Sequence, residues 1–179
     1  MEEICAHIMD IAANSLAAKS KHIMISIEKD RSKNLLSIRF KDDGKGMDEE
    51  MVKRVTDPFF STKKGKKVGL GIPLLKGTAE TCGGQFDLNS KLGEGVEISA
   101  SFQLDHPDLP PLGNLRDTIM VLVVGNPDVD FSFTYRGDGE QFSLYTKEMR
   151  EIIGDGIPLN HPEVVKFLSN FLDEKLQFV

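Results

Sequence analysis

The stretch HIMDIAANSLAAKS, residues 7–20, sets an acid, Asp10, and an amide, Asn14, four positions apart in an otherwise apolar run. At 100° per residue the two share one stripe of a helix, with His7 beside them, flanking the Ile4, Ile8 and Ile11 face. A carboxylate and an amide at the border of a core must be hydrogen-bonded or face a polar cavity, since burying either unpaired costs about 1–3 kcal/mol or more. Taken alone, the pair reads first as a helix edge facing solvent. Two further stretches bear on it. In KDDGKGM, residues 41–47, acids end an apolar run, and glycines at 44 and 46 allow positive φ and close approach of a ligand to the backbone, as a site for a flat heterocycle requires. By itself that loop is equally a strand-to-helix turn. In STKKGKKVGLG, residues 61–71, four lysines and interspersed glycines precede a helix start, where free N–H groups and the helix dipole favour phosphate. A solvated basic loop is the plainer account of it.

The elements that must position these residues follow from periodicity. Ile4, Ile8 and Ile11 predict a helix from Glu2 to about Lys19; Ile23, Ile25 and Ile27 then alternate as a strand, and Leu36, Ile38 and Phe40 as a second. Asp48 is the expected N-cap of a short helix, DEEMVKRVTD, that stops near Pro58. FFSTKKGKKVGLG reads as a mobile loop, and IPLLKGTAETC as a third helix with Pro73 in its first turn and Gly83-Gly84 as its stop. A hairpin around Gly93 and Gly95 completes a two-layer α/β sandwich over residues 1–104.

DHPDLPPLGN, with three prolines, is the expected linker over 105–112. The C-terminal unit, 113–179, reads as an α+β extension. Its expected strands are TIMVLVVGN, DFSFTYR and EQFSLYT, the last two joined through Gly137-Asp138-Gly139. Helices are expected near KEMREIIG and over HPEVVKFLSNFLDEKL, with Asn160 as N-cap. Phe131, Phe133, Tyr135, Phe142 and Leu144 are core candidates, and no motif in this unit points to chemistry.

Composition narrows the partners. With 179 residues, 40% hydrophobic and 28% charged, and a net charge of −6, the chain is an ordinary globular protein without the basic surplus of a phosphate-backbone binder. No nucleic acid and no membrane partner is expected, and the acidic start MEEICAHIMD predicts a cytoplasmic location. Cys5 and Cys82 belong to no metal-ligand spacing and are expected as free, packed thiols.

Order and spacing together resemble the Bergerat-fold ATPases, which include gyrase, mismatch-repair proteins and histidine kinases, and most closely the catalytic domain of histidine kinases. DIAANSLAAKS looks like their N box, KDDGKGM their G1 box, DPFFSTKKG their F box, and VGLGIPLLKGTAETCGGQFDLNSKLGEGVEISASF their G2 box and final strands. The resemblance implies ATP and Mg²⁺ as cofactors. It implies that Asn14 holds the metal, that Asp42 accepts from the adenine amino group, and that Gly44 and Gly46 pass close to the base. Phe59 and Phe60 would anchor the lid; Thr62, Lys63 and Lys67 would lie near the phosphates, with Gly69, Leu70 and Gly71 forming the turn beneath them. Asp10 stands where hydrolysing members carry a glutamate, so it is the implied catalytic base, one methylene shorter, and slow hydrolysis is expected.

Lys67 replaces the first glycine of the family's GxGxG, Val96 a hydroxyl residue near the adenine, and Ala17 a residue often basic in kinases. The chain also begins almost at the N box, leaving no room for a phospho-acceptor helical hairpin, so a self-contained sensor kinase is not expected. The expectation is a nucleotide-switched regulatory module for an unidentified protein partner, or a homodimer. A kinase acting in trans on another protein, and a degenerate adaptor, are the alternatives.

Overall fold

The structure is a computed structural model that describes residues 3–57, 70–154 and 156–177. The expected loop from Phe59 to Gly69 lies outside the described residues. In chain order the elements are α1 (Ile4–Ala17), β1 (His22–Asp30), β2 (Leu35–Asp42), α2 (Glu49–Val55), α3 (Gly71–Thr81), β3 (Phe86–Lys91) and β4 (Gly95–Gln103). The C-terminal part adds α4 (Leu115–Gly125), β5 (Asp130–Gly137), β6 (Glu140–Tyr145), α5 (Thr146–Ile153) and α6 (Pro162–Lys175).

All the described strands join one sheet in the order β3-β4-β2-β1-β5-β6, antiparallel throughout except for the parallel pair β1 and β5. Alternation sorts the strands cleanly. Ile25, Ile38, Ile98 and Phe133 face a layer of helices in which α3 packs on α1, α1 on α4, and α4 on α6. Ser26, Arg39, Ser99 and Thr134, in register across the opposite face, leave it polar and open. This is the two-layer α/β sandwich expected, and one cluster of buried residues runs through it from Ile4 to Leu172. Phe131, Phe133, Tyr135, Phe142 and Leu144 belong to that cluster. Cys5 and Cys82 are buried free thiols, and burial pushes the pKa of each upward, away from the reactive thiolate.

Two expectations are corrected. TIMVLVVGN forms not a strand but α4: Asn114 caps it, its side-chain oxygen accepting the Asp117 N–H at 2.9 Å, and Leu115, Thr118, Ile119, Leu122 and Val123 are buried at helical spacing. The β-branched run suggested a strand, but β5 runs parallel to β1 and to β4 before it, and a parallel return needs a crossover element. The second concerns α6, whose N-cap is His161 and not Asn160, with the imidazole accepting from Glu163 N–H at 3.4 Å. Asp138 and Gly139 both take positive φ, 53° and 84°, and close the β5–β6 hairpin as expected from the DG pair.

The proline-rich segment is more than a spacer. The Pro111 and Leu112 carbonyls accept the Ile4 and Cys5 N–H groups, each at 2.9 Å, which satisfies donors at the start of α1 where no side chain caps it. Gly84 has a similar tertiary origin: a Cβ there would lie 1.7 Å from the Ser101 carbonyl oxygen of β4. Gly84→Ala is expected to destabilise the protein by about 1–3 kcal/mol, read from urea or thermal unfolding, whereas Gly77→Ala on α3, where a Cβ meets nothing within 4 Å, is expected to be neutral or stabilising.

His7, on α1, is 1% exposed; its Nε2 lies 3.3 Å from the Thr78 hydroxyl and its Nδ1 has no hydrogen-bond partner among the described residues. Burial lowers its pKa to about 4. The unfolded chain therefore takes up a proton that the folded chain refuses between about pH 6.5 and 4, so this stability is fully present above about 6.5 and is lost as pH falls through that window. Unfolding free energy is expected to drop by about 3 kcal/mol more from pH 7 to 4 in the wild type than in His7→Gln, measured by denaturant titration at each pH.

Candidate functional site

A cavity of about 440 Å³ opens between α1, the end of β2 with its following loop, α2 and the β3–β4 hairpin. Its walls are apolar: Ile11 from α1, Met47 and Met51, Ile72 from α3, and Val96 and Ile98 from β4. Polar side chains enter from Asn14, Ser15, Asp42, Lys45 and Asp48. A slot with few polar groups suits a flat ring whose edge carries hydrogen-bonding atoms.

Asp42 is the buried charged group of the polar set, 5% exposed, beside Ser15 at 3%. Its Oδ1 accepts the Gly44 N–H at 2.8 Å and its Oδ2 accepts the Ser15 hydroxyl at 2.5 Å. A carboxylate has about four lone-pair positions, and two donors reach this one among the described residues. The adjacent Asp43 has another duty: its Oδ1 accepts the Lys21 and His22 N–H groups at 2.7 and 2.9 Å and anchors the start of β1. The loop between them and α2 is tied to the hairpin, for Gly93 N–H donates to the Lys45 carbonyl at 2.8 Å and Met47 N–H to the Ser90 hydroxyl at 2.8 Å.

The two glycines of this loop are required by the protein's own packing. A Cβ at Gly44 would meet the Ser20 Oγ at 2.6 Å. Gly46 has φ of +66° and would place a Cβ 1.9 Å from the Lys91 carbonyl oxygen.

Of the residues expected from sequence, Asn14, Asp42 and Gly46 line the cavity together, and Gly44 is bonded to Asp42. The Asn14 side chain makes no hydrogen bond among the described residues. Asp10, Leu70 and Gly71 lie outside the cavity lining. Asp10 instead sits against the first residue of α3: a Cβ on Gly71 would come 2.8 Å from the Asp10 Cβ and 3.4 Å from its Oδ2. That helix start has no side-chain cap, and Asp10 is exposed, with no hydrogen bond or ion pair among the described residues. Phe60, Thr62, Lys63, Lys67 and Gly69 lie outside the described residues.

Ser15, Lys45, Met51 and Leu92 line the cavity and were not foreseen. Ser15 carried a signal, since it falls on the Ile8 and Ile11 stripe, where a buried hydroxyl needs a partner. The others carried none, because their place depends on how the hairpin and α2 meet α1. Among the described residues, no cluster of three or more His, Cys, Asp or Glu is arranged to hold a metal. Asn14 fits a hard cation that keeps waters and ligand oxygens as its other partners, as Mg²⁺ does.

Comparison with known proteins matches this geometry. Residues 1–106 fit the model of the family described as histidine kinase-, DNA gyrase B-, and HSP90-like ATPase. A putative sensor protein of Shewanella frigidimarina is 29% identical over 109 residues, 60% of this chain and 16% of that protein. Sporulation kinase C of Bacillus subtilis is 31% identical over 87 residues, 49% of this chain and 20% of the kinase, so the chain spans a fifth or less of these relatives. Among solved structures, the N-terminal domain of a DNA repair protein superposes with a TM-score of 0.56 at 13% identity, covering 87% of this chain and 58% of that one. The Aquifex aeolicus MutL ATPase domain complexed with ADP superposes with a TM-score of 0.50 at 15% identity, covering 95% and 88%. Those two likenesses establish the fold. The family match over more than half the chain, on a cavity faced by Asn14 and Asp42, places this protein in the histidine kinase-, DNA gyrase B-, and HSP90-like ATPase family.

Proposed function

We propose that the cavity binds ATP with Mg²⁺, that bound nucleotide controls a protein partner, and that hydrolysis through Asp10 is slow. The observation that supports this best is the meeting of Asp42, buried with open lone pairs, and the unengaged Asn14 amide in one apolar slot. In this reading the adenine amino group donates to Asp42, and Met47, Val96 and Ile98 cover the ring. The phosphates run toward the uncapped start of α3 at Leu70 and Gly71. Phe60, Thr62, Lys63, Lys67 and Gly69, which the resemblance assigns to the phosphate end, lie outside the described residues.

Asn14 would hold Mg²⁺ through its amide oxygen, and the ion would supply charge neutralisation for the triphosphate. Asp10, without a hydrogen bond or ion pair among the described residues and beside the start of α3, would take a proton from water near the terminal phosphate. Its short side chain limits how closely it approaches, which is the reason for slow turnover. Bound nucleotide would change the surface presented to a partner, either another protein or a second copy of the chain. In this reading residues 113–179 extend a nucleotide module of residues 1–104 through the segment 105–112. Transfer of the phosphate to a protein in trans is a second reading, favoured by the likeness to kinases of Bacillus subtilis.

Calorimetric titration is expected to give saturable Mg-ATP binding by the wild type and binding at least 100-fold weaker by Asp42→Asn, which puts an N–H where an acceptor is required. Asn14→Ala is expected to abolish the Mg²⁺ dependence of affinity. Asp10→Asn is expected to bind ATP as the wild type does while phosphate release falls by about 100-fold or more, measured in a coupled assay. Wild-type turnover that Asp10→Asn leaves unchanged would remove Asp10 from the mechanism.

A further inference from the structure

At the end of the sheet far from the cavity, β6 is an edge strand, and its pairing with β5 fixes which backbone groups it leaves over. The two-residue turn at Asp138-Gly139 makes Gly137 and Glu140 a hydrogen-bonded pair, and bonded and non-bonded pairs alternate from there along the register. Gln141, Ser143 and Tyr145 therefore turn their N–H groups outward, and Gln141 and Ser143 their carbonyls, while the Tyr145 carbonyl opens α5. Arg150 ties α5 back to the start of β5 through Asp130, at 2.9 Å, and the Val129 carbonyl, at 3.2 Å. Sheet edges are ordinarily guarded by charge or proline. The opposite edge, β3, sets Asp87, Asn89 and Lys91 on its exposed positions, whereas Gln141 to Tyr145 holds no charge, proline or glycine.

An apolar shelf stands beside this unguarded strand. On α6, Ser169 and Asp173 turn toward α4, where Arg116 bonds each at 2.6 Å, and Val164, Leu168 and Leu172 are buried. Phe167 and Phe171 fall on the remaining flank, away from α4. Phe171 lies 6.0 Å from the Phe142 ring of β6, and Phe167, stacked on Phe171 at 6.3 Å, is 61% exposed. The strand is also its own complement. An antiparallel copy centred with Ser143 opposite Ser143 joins outward N–H to outward carbonyl at that pair, and Tyr145 N–H to the Gln141 carbonyl on either side. Phe142 then meets Leu144 on the helix-covered face, and Glu140 falls opposite Thr146, so no like charges face each other. The two-fold axis of such a pairing is perpendicular to the sheet, which keeps both α6 helices on one face and turns their Phe167 flanks toward each other.

We infer that β6 is the contact of a homodimer of this chain, in which two sheets join edge to edge and Phe167 and Phe171 of each copy pack across the axis. The inference is independent of the nucleotide reading. Sedimentation equilibrium of the full chain over about 1–100 μM is expected to show dimers. Ser143→Pro removes an outward N–H without touching the β5 ladder, and Phe167→Asp charges an exposed position of the shelf; each is expected to weaken self-association about tenfold or more, with the far-UV circular dichroism of the wild type. Cysteine variants read the register, since Cys5 and Cys82 are buried. Mild oxidation is expected to cross-link Ser143→Cys, whose two copies lie opposite each other, and not Glu140→Cys. A wild type that stays monomeric over that range, a dimer that the folded variants keep, or cross-linking of Glu140→Cys in preference to Ser143→Cys overturns the inference and leaves the nucleotide site untouched.

Discussion

A buried carboxylate has to be satisfied, and the arrangement around Asp42 follows from that demand. Unpaired at 5% exposure it would cost several kcal/mol. Its partners come from two directions, the Ser15 hydroxyl on α1 and the Gly44 N–H on the loop that leaves β2. One side chain thus joins the helix layer to the sheet and sets the turn of the loop. Because each oxygen receives only one donor, the carboxylate is both held in orientation and left able to accept from a ligand. A fully satisfied group would be structure alone, and an unsatisfied one would be unstable.

The same seam explains where the cavity lies. Helices cover one face of the sheet, and α1 is central in that layer, between α3 and α4. The loop after β2 is tied to the hairpin by Gly93 N–H to Lys45 and Met47 N–H to Ser90, and to the end of α1 by the Lys45 N–H, which donates to the Ala18 carbonyl at 3.3 Å. Hydrophobic side chains from α1, α2 and β4 then border a slot that they do not fill. The C-terminal part reinforces this arrangement from the other side. β5 adds to β1, α4 packs against α1, and the Pro111 and Leu112 carbonyls bond the first N–H groups of α1. The helix that carries Asp10 and Asn14 is thereby fixed at its start by the segment that follows β4 and at its end by Asp42.

Much of this was legible in local pattern. The alternations of β1, β2 and β4, the Asp48 cap and the DG turn were each signalled by residues within a few positions of one another. α4 was misread because Ile119, Val121, Val123 and Val124 favour strands intrinsically, while the burial pattern that decides for a helix depends on α1 and α6 being there to cover it. The cap of α6 shifted by one residue for a smaller reason, since the His161 nitrogen reached the Glu163 N–H before Asn160 was needed.

The sequence by itself determined the residue types of the site and their order along the chain, because Asp10 and Asn14 lie on one helical stripe and Asp42 to Gly46 on one loop. Such relations need only the helix period and the conformational range of glycine. Only the tertiary structure decided which of them meet. Asn14 and Asp42 share a cavity, whereas Asp10 faces the start of α3, and Val96 is brought beside Asp42 by the register of β2 on β4. It also showed that Gly44 and Gly46 answer to Ser20 and Lys91 of the protein itself. Contacts between residues 24 to 61 positions apart depend on sheet order and packing, which no local period encodes.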